Sequence, residues 1–178
     1  MTDREGGDAS EDAGSAAGER PPALLDVMCG KLATYLRLCG YDAAYALDRE
    51  VEADDRLREL AAAEGRVLVT RDRDLAARTA SADSPVDAVL LTERDVLDQL
   101  RELAAAGYPV ELAGEPSRCG NCNGRVERVG VDDPVPDRPD YVPDDVGTDR
   151  PGWRCTECGQ WFWKGGHWEE VAARLDSL

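Results

Sequence analysis

Lysine and long apolar runs are the features that this sequence lacks most clearly. Its 178 residues include two lysines and one histidine. No stretch approaches the ~20 apolar residues that a membrane helix needs, so we expect no membrane partner. The 21 basic and 37 acidic residues give a formal charge of −16. That charge argues against a simple electrostatic clamp on nucleic acid, because proteins of that kind are usually basic.

The same composition indicates the solvent in which the protein works. An acidic, lysine-poor surface is expected of a protein that stays soluble at high salt, where screening relieves self-repulsion. We therefore expect a halophilic protein.

Residues 1–22 are rich in Gly, Ala, Asp and Glu and lack the basic and apolar regions of a secretory signal. They predict a disordered acidic tail and a cytoplasmic location, where six cysteines favour metal binding or free thiols over disulfides.

Apolar and amphipathic segments alternate between residues 23 and 115. Four apolar runs predict strands, and they lie at residues 24–28, 41–47, 66–70 and 86–91. Helical spacing predicts helices after each run, with Asp54 and Thr92 as the expected N-caps of the second and fourth. Strands alternating with helices predict an α/β domain with a parallel sheet flanked by helices.

Two Cys-x-x-Cys pairs mark a second module over residues 116–178. The pairs are Cys119 with Cys122 and Cys155 with Cys158. Each pair is interpreted as lying in a turn rich in Gly or Asn, and four thiolates facing one ion form a tetrahedral structural zinc site with no open position for a reacting water. His167 is a less favoured alternative ligand. Residues 131–152, dense in Asp and Pro, predict an extended solvated insertion.

Aromatic side chains surround the second cysteine pair. They are Trp153, Trp161, Phe162, Trp163 and Trp168. Some must form the small core of the module, whereas others could stack on bases, as aromatic platforms do in proteins that bind single strands. Packing against the first domain is an equally good interpretation. Trp163 and His167 are the residues that we expect to contact a nucleic acid.

Acidic side chains lie at the carboxyl ends of the predicted strands, which is where parallel sheets bind their ligands. Asp26 interrupts the first run, Asp72 and Asp74 follow the third, and Asp54 or its neighbour Asp55 could reach the same edge. Converging carboxylates repel one another unless a cation such as Mg²⁺ or Mn²⁺ binds them. Such a site can polarise a phosphodiester and activate water. Taken singly, each acid could also be a helix cap.

Basic residues lie close in sequence to these acids. They are Lys31, Arg37, Arg71 and Arg73. A guanidinium or ammonium group at this position can either contact a substrate phosphate or neutralise the acidic cluster. We predict that all four contribute to substrate binding.

The motifs together resemble a known family. The first set comprises Asp26, Gly30-Lys31-Leu32-Ala33, Tyr35-Leu36-Arg37, Gly40-Tyr41-Asp42, Asp54, and Gly65 through Asp72. The second comprises Cys119-x-x-Cys122-Asn123-Gly124, Cys155-x-x-Cys158 and Trp163-x-Gly-x-His167-Trp168. The pattern is similar to the PIN-like ribonuclease domain named after the C-terminal part of the Mut-seven exonuclease, with its zinc ribbon, and covers residues 24–172.

This resemblance implies a PIN-like nuclease domain over residues 23–115 fused to a zinc ribbon. It implies RNA as substrate and a divalent metal held by Asp26, Asp54 and Asp72, with Asp74 a further candidate. Cys29 stands where the family usually has Leu, which makes it a substituted apolar position and not a nucleophile. A non-catalytic RNA-binding or ribosome-associated protein is the alternative, and a thiol redox protein is less favoured.

Overall fold

The computed structural model describes residues 20–81, 85–130 and 138–178. Most of the predicted tail, residues 1–19, and the start of the predicted insertion, residues 131–137, lie outside the described residues. The division into a nuclease domain, a ribbon and an insertion stays a prediction. Within the described ranges no helix is long and apolar enough to span a membrane.

A four-stranded parallel sheet forms the centre of the first part of the chain. Its strands are β1 (Ala23–Leu25), β2 (Ala43–Tyr45), β3 (Val67–Thr70) and β4 (Ala88–Leu90). They lie in the order β2-β1-β3-β4, and every neighbouring pair is parallel. The predicted α/β fold with a parallel sheet is thereby confirmed, although each strand is shorter than its apolar run. Helices cover both faces, which explains why the central strands are apolar throughout.

Five α-helices accompany the strands within the described residues. They are α1 (Gly30–Leu38), α2 (Asp54–Glu64), α3 (Arg73–Thr79), α4 (Val96–Ala105) and α5 (Gly166–Asp176). Both predicted caps were wrong. Asp54 is the first residue of α2 and caps nothing, because Ala53 occupies the N-cap position. Asp95 caps α4, whereas the Thr92 hydroxyl is engaged by the Glu102 carboxylate.

The two faces of the sheet carry separate apolar cores. Side chains from α1 and α4 pack on one face, and side chains from α2 and α3 pack on the other. Helix α5, at the far end of the chain, adds Val171 and Leu175 to the first of these cores. Arg174 of the same helix donates a hydrogen bond to the Tyr35 hydroxyl of α1 at 3.2 Å. The C-terminal helix is therefore fastened to the parallel-sheet part of the chain.

A three-stranded antiparallel sheet forms the centre of the second part. Its strands are β5 (Val126–Val129), β6 (Gly152–Cys155) and β7 (Trp161–Trp163), in that order. The predicted solvated insertion was wrong for its described portion, because Val142 and Val146 are buried against Trp161. Gly152 permits this packing, since a Cβ there would lie 2.8 Å from the Val146 side chain.

Candidate functional site

Three residues form a connected group at the carboxyl ends of neighbouring strands, here called the carboxylate edge: Asp26, Thr70 and Asp72. The Thr70 hydroxyl donates to Asp26 Oδ2 at 2.7 Å and accepts from the Asp72 backbone N–H at 3.0 Å. Asp26 is 5% exposed and Thr70 is fully buried. A buried carboxylate is costly unless it is hydrogen-bonded, so Thr70 stabilises Asp26 at this position. Thr70 was not predicted from the sequence as a site residue. Its position directly before Arg71-Asp72, at the end of a predicted strand, could have indicated it.

Asp72 also caps helix α3. Its Oδ1 accepts from the backbone N–H groups of Asp74 and Leu75 at 2.8 and 2.9 Å. The capping interpretation is therefore correct for Asp72 and not for Asp74, whose backbone is the donor. Both bonds go to one carboxylate oxygen, so capping and a role at the carboxylate edge are compatible.

Asp54 begins α2 at the same end of the sheet, but an arginine engages it. Arg78 of α3 pairs with Asp54, which is 43% exposed, and also with the more exposed Asp55 at 3.4 Å. Among the described residues, no three acidic groups bring their oxygens within 4.8 Å of one another. The donor chemistry suits Mg²⁺ or Mn²⁺, yet Asp26, Asp54 and Asp72 do not form a preassembled set of ligands.

The four basic residues differ in their surroundings. Lys31 and Arg73 are exposed at the first turns of α1 and α3, and Arg71 is half-buried with no partner for its Nε among the described residues. These three are placed where a phosphate at the carboxylate edge could reach them.

The predicted role of Arg37 in substrate binding was wrong, because its guanidinium is already hydrogen-bonded to other groups of the protein. It is 4% exposed. Its Nε donates to the Ala43 carbonyl at 2.9 Å, and its Nη1 donates to the carbonyls of Gly120 and Asn121 at 3.2 and 2.9 Å. Its Nη2 pairs with Asp48 at 3.1 Å. A buried guanidinium held by four acceptors joins two parts of the chain and is not free to contact a phosphate.

Cys29 lies close to Asp26 but cannot serve as a nucleophile. It has no exposed surface. Burial, and then the negative charge of Asp26, raise the pKa of the Cys29 thiol to about 12. A nucleophilic cysteine needs the opposite shift, so the structure agrees with its interpretation as an apolar position.

The four cysteines of the two pairs converge as predicted. All four Sγ atoms lie within 4.8 Å of one another, with Cys119 3.6 Å from Cys158 and Cys122 3.5 Å from Cys155. A tetrahedral zinc with bonds of about 2.3 Å needs sulfur atoms about 3.8 Å apart. The set therefore fits a structural metal such as zinc. The His167 side chain is 86% exposed and lies outside the group.

The thiols of this group differ in acidity. Burial raises the pKa of Cys119 well above its ordinary value. Burial would also raise the pKa of Cys158, but a backbone hydrogen bond from Gln160 and the neighbouring thiols lower it to about 7. Because zinc binds thiolates, its binding must release protons from the more basic thiols.

A family model described as the Mut7-C RNAse domain matches residues 22–175, which is most of the chain. The chain belongs to the Mut7-C RNAse domain family. The predicted family resemblance is confirmed. Comparisons with curated proteins and with solved structures gave no match. Membership in the Mut7-C family supports a ribonuclease-type function, and an RNase domain implies RNA as its substrate.

The first cysteine turn of this Mut7-C chain, residues 119–124 and here called the knuckle, is docked on strand β2. Asn123 accepts from the Ala43 N–H at 2.9 Å and donates to Asp42 Oδ1 at 2.7 Å. Arg118 pairs with the second oxygen of Asp42 at 3.2 Å. Strand β2 is an edge strand of the parallel sheet, so the knuckle covers backbone groups that would otherwise be open to pairing.

Asp42 is the charged centre of this contact. Burial would raise its pKa, but hydrogen bonds from Arg66 and Asn123 and the charges of Arg66 and Arg118 lower it below the ordinary value of 3.8. The carboxylate is thus ionised at neutral pH, where it can pair with both arginines. Neither Asp42 nor Asn123 was recognised as a contact residue from the sequence, although both belong to the quoted motifs.

A cleft lies away from the carboxylate edge, between α1, the knuckle and the segment from β7 to α5. It measures about 650 Å³. Its aromatic lining includes Tyr141, Trp161, Phe162, Trp163, His167 and Trp168. We call it the aromatic cleft. Trp161 is buried, whereas Phe162, Trp163 and Trp168 are half-buried, so both predicted uses of the aromatics, packing and an accessible surface, are compatible with their positions.

Proposed function

We propose that the protein is a divalent-metal-dependent ribonuclease that hydrolyses RNA phosphodiester bonds at the carboxylate edge. The observation that carries the proposal is the hydrogen-bonded connection of Asp26 to Asp72 through Thr70. It fixes two acids on adjacent strand ends, where ligands bind in open α/β sheets. Family membership supports the reaction class.

Asp26 and Asp72 are the residues that would hold the ion, with Asp54 and Asp74 as further candidates. Mg²⁺ or Mn²⁺, when bound, polarises a phosphodiester and lowers the pKa of a coordinated water. Thr70 donates to one oxygen of Asp26 and thereby fixes the orientation of that carboxylate. Asp54 pairs with Arg78 through one carboxylate oxygen and would have to move closer to Asp26 and Asp72 to join the set.

Three cations beside the carboxylate edge are proposed to bind the RNA backbone. Lys31 and Arg73 lie on the first turns of the helices that follow Asp26 and Asp72. Arg71 lies between Thr70 and Asp72, and its Nε lacks a partner among the described residues. A guanidinium can bind two phosphate oxygens at once. The zinc site supplies no step of the reaction and stabilises the knuckle, which Asn123 and Arg118 attach to the β2 edge.

The test is a cleavage assay on single-stranded RNA at high salt with zinc-loaded protein, with and without Mg²⁺ or Mn²⁺. We expect cleavage only with the added ion, and we expect Asp26→Asn to lower the rate by at least ~100-fold, as loss of a group that stabilises transition-state charge does. Asp87→Asn is the matched control, because Asp87 is exposed and precedes β4 at the opposite end of the sheet.

A non-catalytic RNA-binding protein is the second candidate. It is favoured by the absence of a preassembled acidic trio among the described residues and by the pairing of Asp54 with Arg78. It predicts that RNA binds without turnover and that Asp26→Asn leaves binding unchanged. Cleavage by folded Asp26→Asn at the wild-type rate would place the chemistry elsewhere.

A further inference from the structure

We propose that the aromatic cleft binds one unpaired nucleobase of the RNA whose backbone lies at the carboxylate edge. This inference rests on the proposed ribonuclease function and specifies how the enzyme holds a single strand. The cleft volume of about 650 Å³ is in the range of small-molecule sites. A base is a flat aromatic ligand with polar edges, and the lining offers groups for both.

The lining combines ring faces with amide groups. Trp163, Phe162 and Trp168 are only half-buried, so part of each ring is accessible from the cleft. Asn121 and Gln160 line the same cleft and carry side-chain amides that can pair with the edge of a base. Stacking on an aromatic ring requires no particular base, so the subsite is expected to tolerate all four.

The charge of the lining also suits a polyanion. Among the described residues, none that lines the aromatic cleft is Asp or Glu, although 37 of the 178 residues of the chain are acidic. Lys164, one of only two lysines, follows Trp163 and has its ammonium 6.0 Å from the Trp153 ring. Glu170 of α5 is the acid beside His167, and Arg174 pairs with it.

One face of α1 connects the carboxylate edge to the aromatic cleft. Helix α1 begins just after the short turn that follows Asp26, and Lys31, Thr34 and Leu38 share one face because they are three and four residues apart. Thr34 and Leu38 line the cleft. Seven residues of helix span about 10 Å. A single-stranded RNA lying along this face of α1 would place a phosphate beside Lys31, between the carboxylates and the bound base.

Gly165 leaves room for the stacking ring. A Cβ at residue 165 would lie 3.0 Å from Trp163 Nε1, so glycine lets the chain enter α5 close to the indole without displacing it. Trp163 is therefore the ring whose removal should matter most.

The experiment measures binding separately from cleavage. Labelled single-stranded RNA is titrated by fluorescence anisotropy into zinc-loaded Asp72→Asn protein, at fixed salt and without added divalent metal. Trp163→Ala is expected to bind roughly 5- to 150-fold more weakly, the equivalent of one lost base stack. Trp163→Phe should retain most of the affinity. Trp153→Phe, a change at a buried tryptophan outside the cleft lining, should stay within about twofold.

A second arm replaces single nucleotides of the RNA by abasic ones, one position at a time. At one position the abasic RNA should bind the Trp163-containing protein as weakly as intact RNA binds Trp163→Ala, and combining both changes should cause no further loss. Equal binding by Trp163→Ala and Trp163-containing protein, or additive losses, would overturn the subsite even if the chain cleaves RNA. A dimer that buries the cleft, or capture of a peptide in place of RNA, would overturn it as well. Loss of cleavage alone would count against the carboxylate edge and leave the subsite standing.

Discussion

Asn123 offers the sharpest test of how the zinc module is joined to the parallel sheet. Its side chain accepts from the Ala43 N–H and donates to Asp42, and its backbone has a left-handed φ of 66°. Asn123→Gly removes both hydrogen bonds while keeping a residue that tolerates this φ. Asn123→Ala removes the same bonds but keeps a Cβ, without the polar side chain that lets asparagine adopt this left-handed conformation.

The expected losses follow from these contacts. Leaving the Ala43 N–H without a partner costs about 1–3 kcal/mol, and the bond to Asp42 adds about 1 kcal/mol because Arg66 and Arg118 still hold that carboxylate. We therefore expect Asn123→Gly to lower the free energy of unfolding by ~2–4 kcal/mol. The left-handed backbone should make Asn123→Ala worse by a further ~1–2 kcal/mol.

Urea unfolding of zinc-loaded protein at fixed salt, followed by circular dichroism, measures both losses. Asn121→Ala is the matched control, because Asn121 contributes its carbonyl to Arg37 and should change stability by less than ~0.5 kcal/mol. Hydrogen exchange at the Ala43 amide gives an independent measure, since Asn123 is the acceptor for that N–H. Wild-type stability and unchanged Ala43 protection in Asn123→Gly would refute the proposed role of this contact.

Three further outcomes are expected. Thr70→Val removes the hydroxyl that donates to buried Asp26, so it should lower the free energy of unfolding by ~1–3 kcal/mol and the RNA cleavage rate by ~10- to 100-fold, measured by urea titration and cleavage assay. Folding lowers the pKa of Asp42, so its ionised carboxylate stabilises the folded protein fully above pH 3.8, its ordinary pKa. This stabilisation is lost as the pH falls through the lower pKa of the folded state. The urea midpoint of Asp42→Asn should therefore depend less on pH below about 4 than that of the wild type. A zinc chelator should release one metal per chain and expose four thiols to a thiol reagent, while Cys29 and Cys39 react only on full unfolding because burial raises the pKa of each to about 12.

Local patterns predicted the parallel sheet and the four-cysteine group well. Apolar runs bounded by turns locate buried strands wherever helices cover both faces of a sheet. The fixed spacing of each cysteine pair brings two thiols together whatever the intervening chain does, so the 32 residues between Cys122 and Cys155 did not obscure the site. Sequence resemblance supplied the family, and the match over residues 22–175 confirmed it.

Contacts between distant segments were the part that sequence could not supply. Arg37 was predicted to be a phosphate ligand because it lies close in sequence to the acids, yet its partners lie up to 84 residues away in the knuckle. The described part of the Asp- and Pro-rich segment packs because Val142 and Val146 meet Trp161, a contact that composition does not reveal. Asp54 illustrates the same limit, since Arg78 reaches it from another helix.

The most direct test of the carboxylate edge compares two aspartates that both cap the N-terminus of a helix. Asp72 caps α3 and Asp95 caps α4, and asparagine caps a helix about as well as aspartate. Both Asp→Asn variants should therefore fold alike. In an RNA cleavage assay with Mg²⁺ or Mn²⁺, Asp72→Asn should lose at least ~100-fold in rate while Asp95→Asn retains the wild-type rate. Equal rates for the two variants would contradict the assignment of the carboxylate edge as the active site.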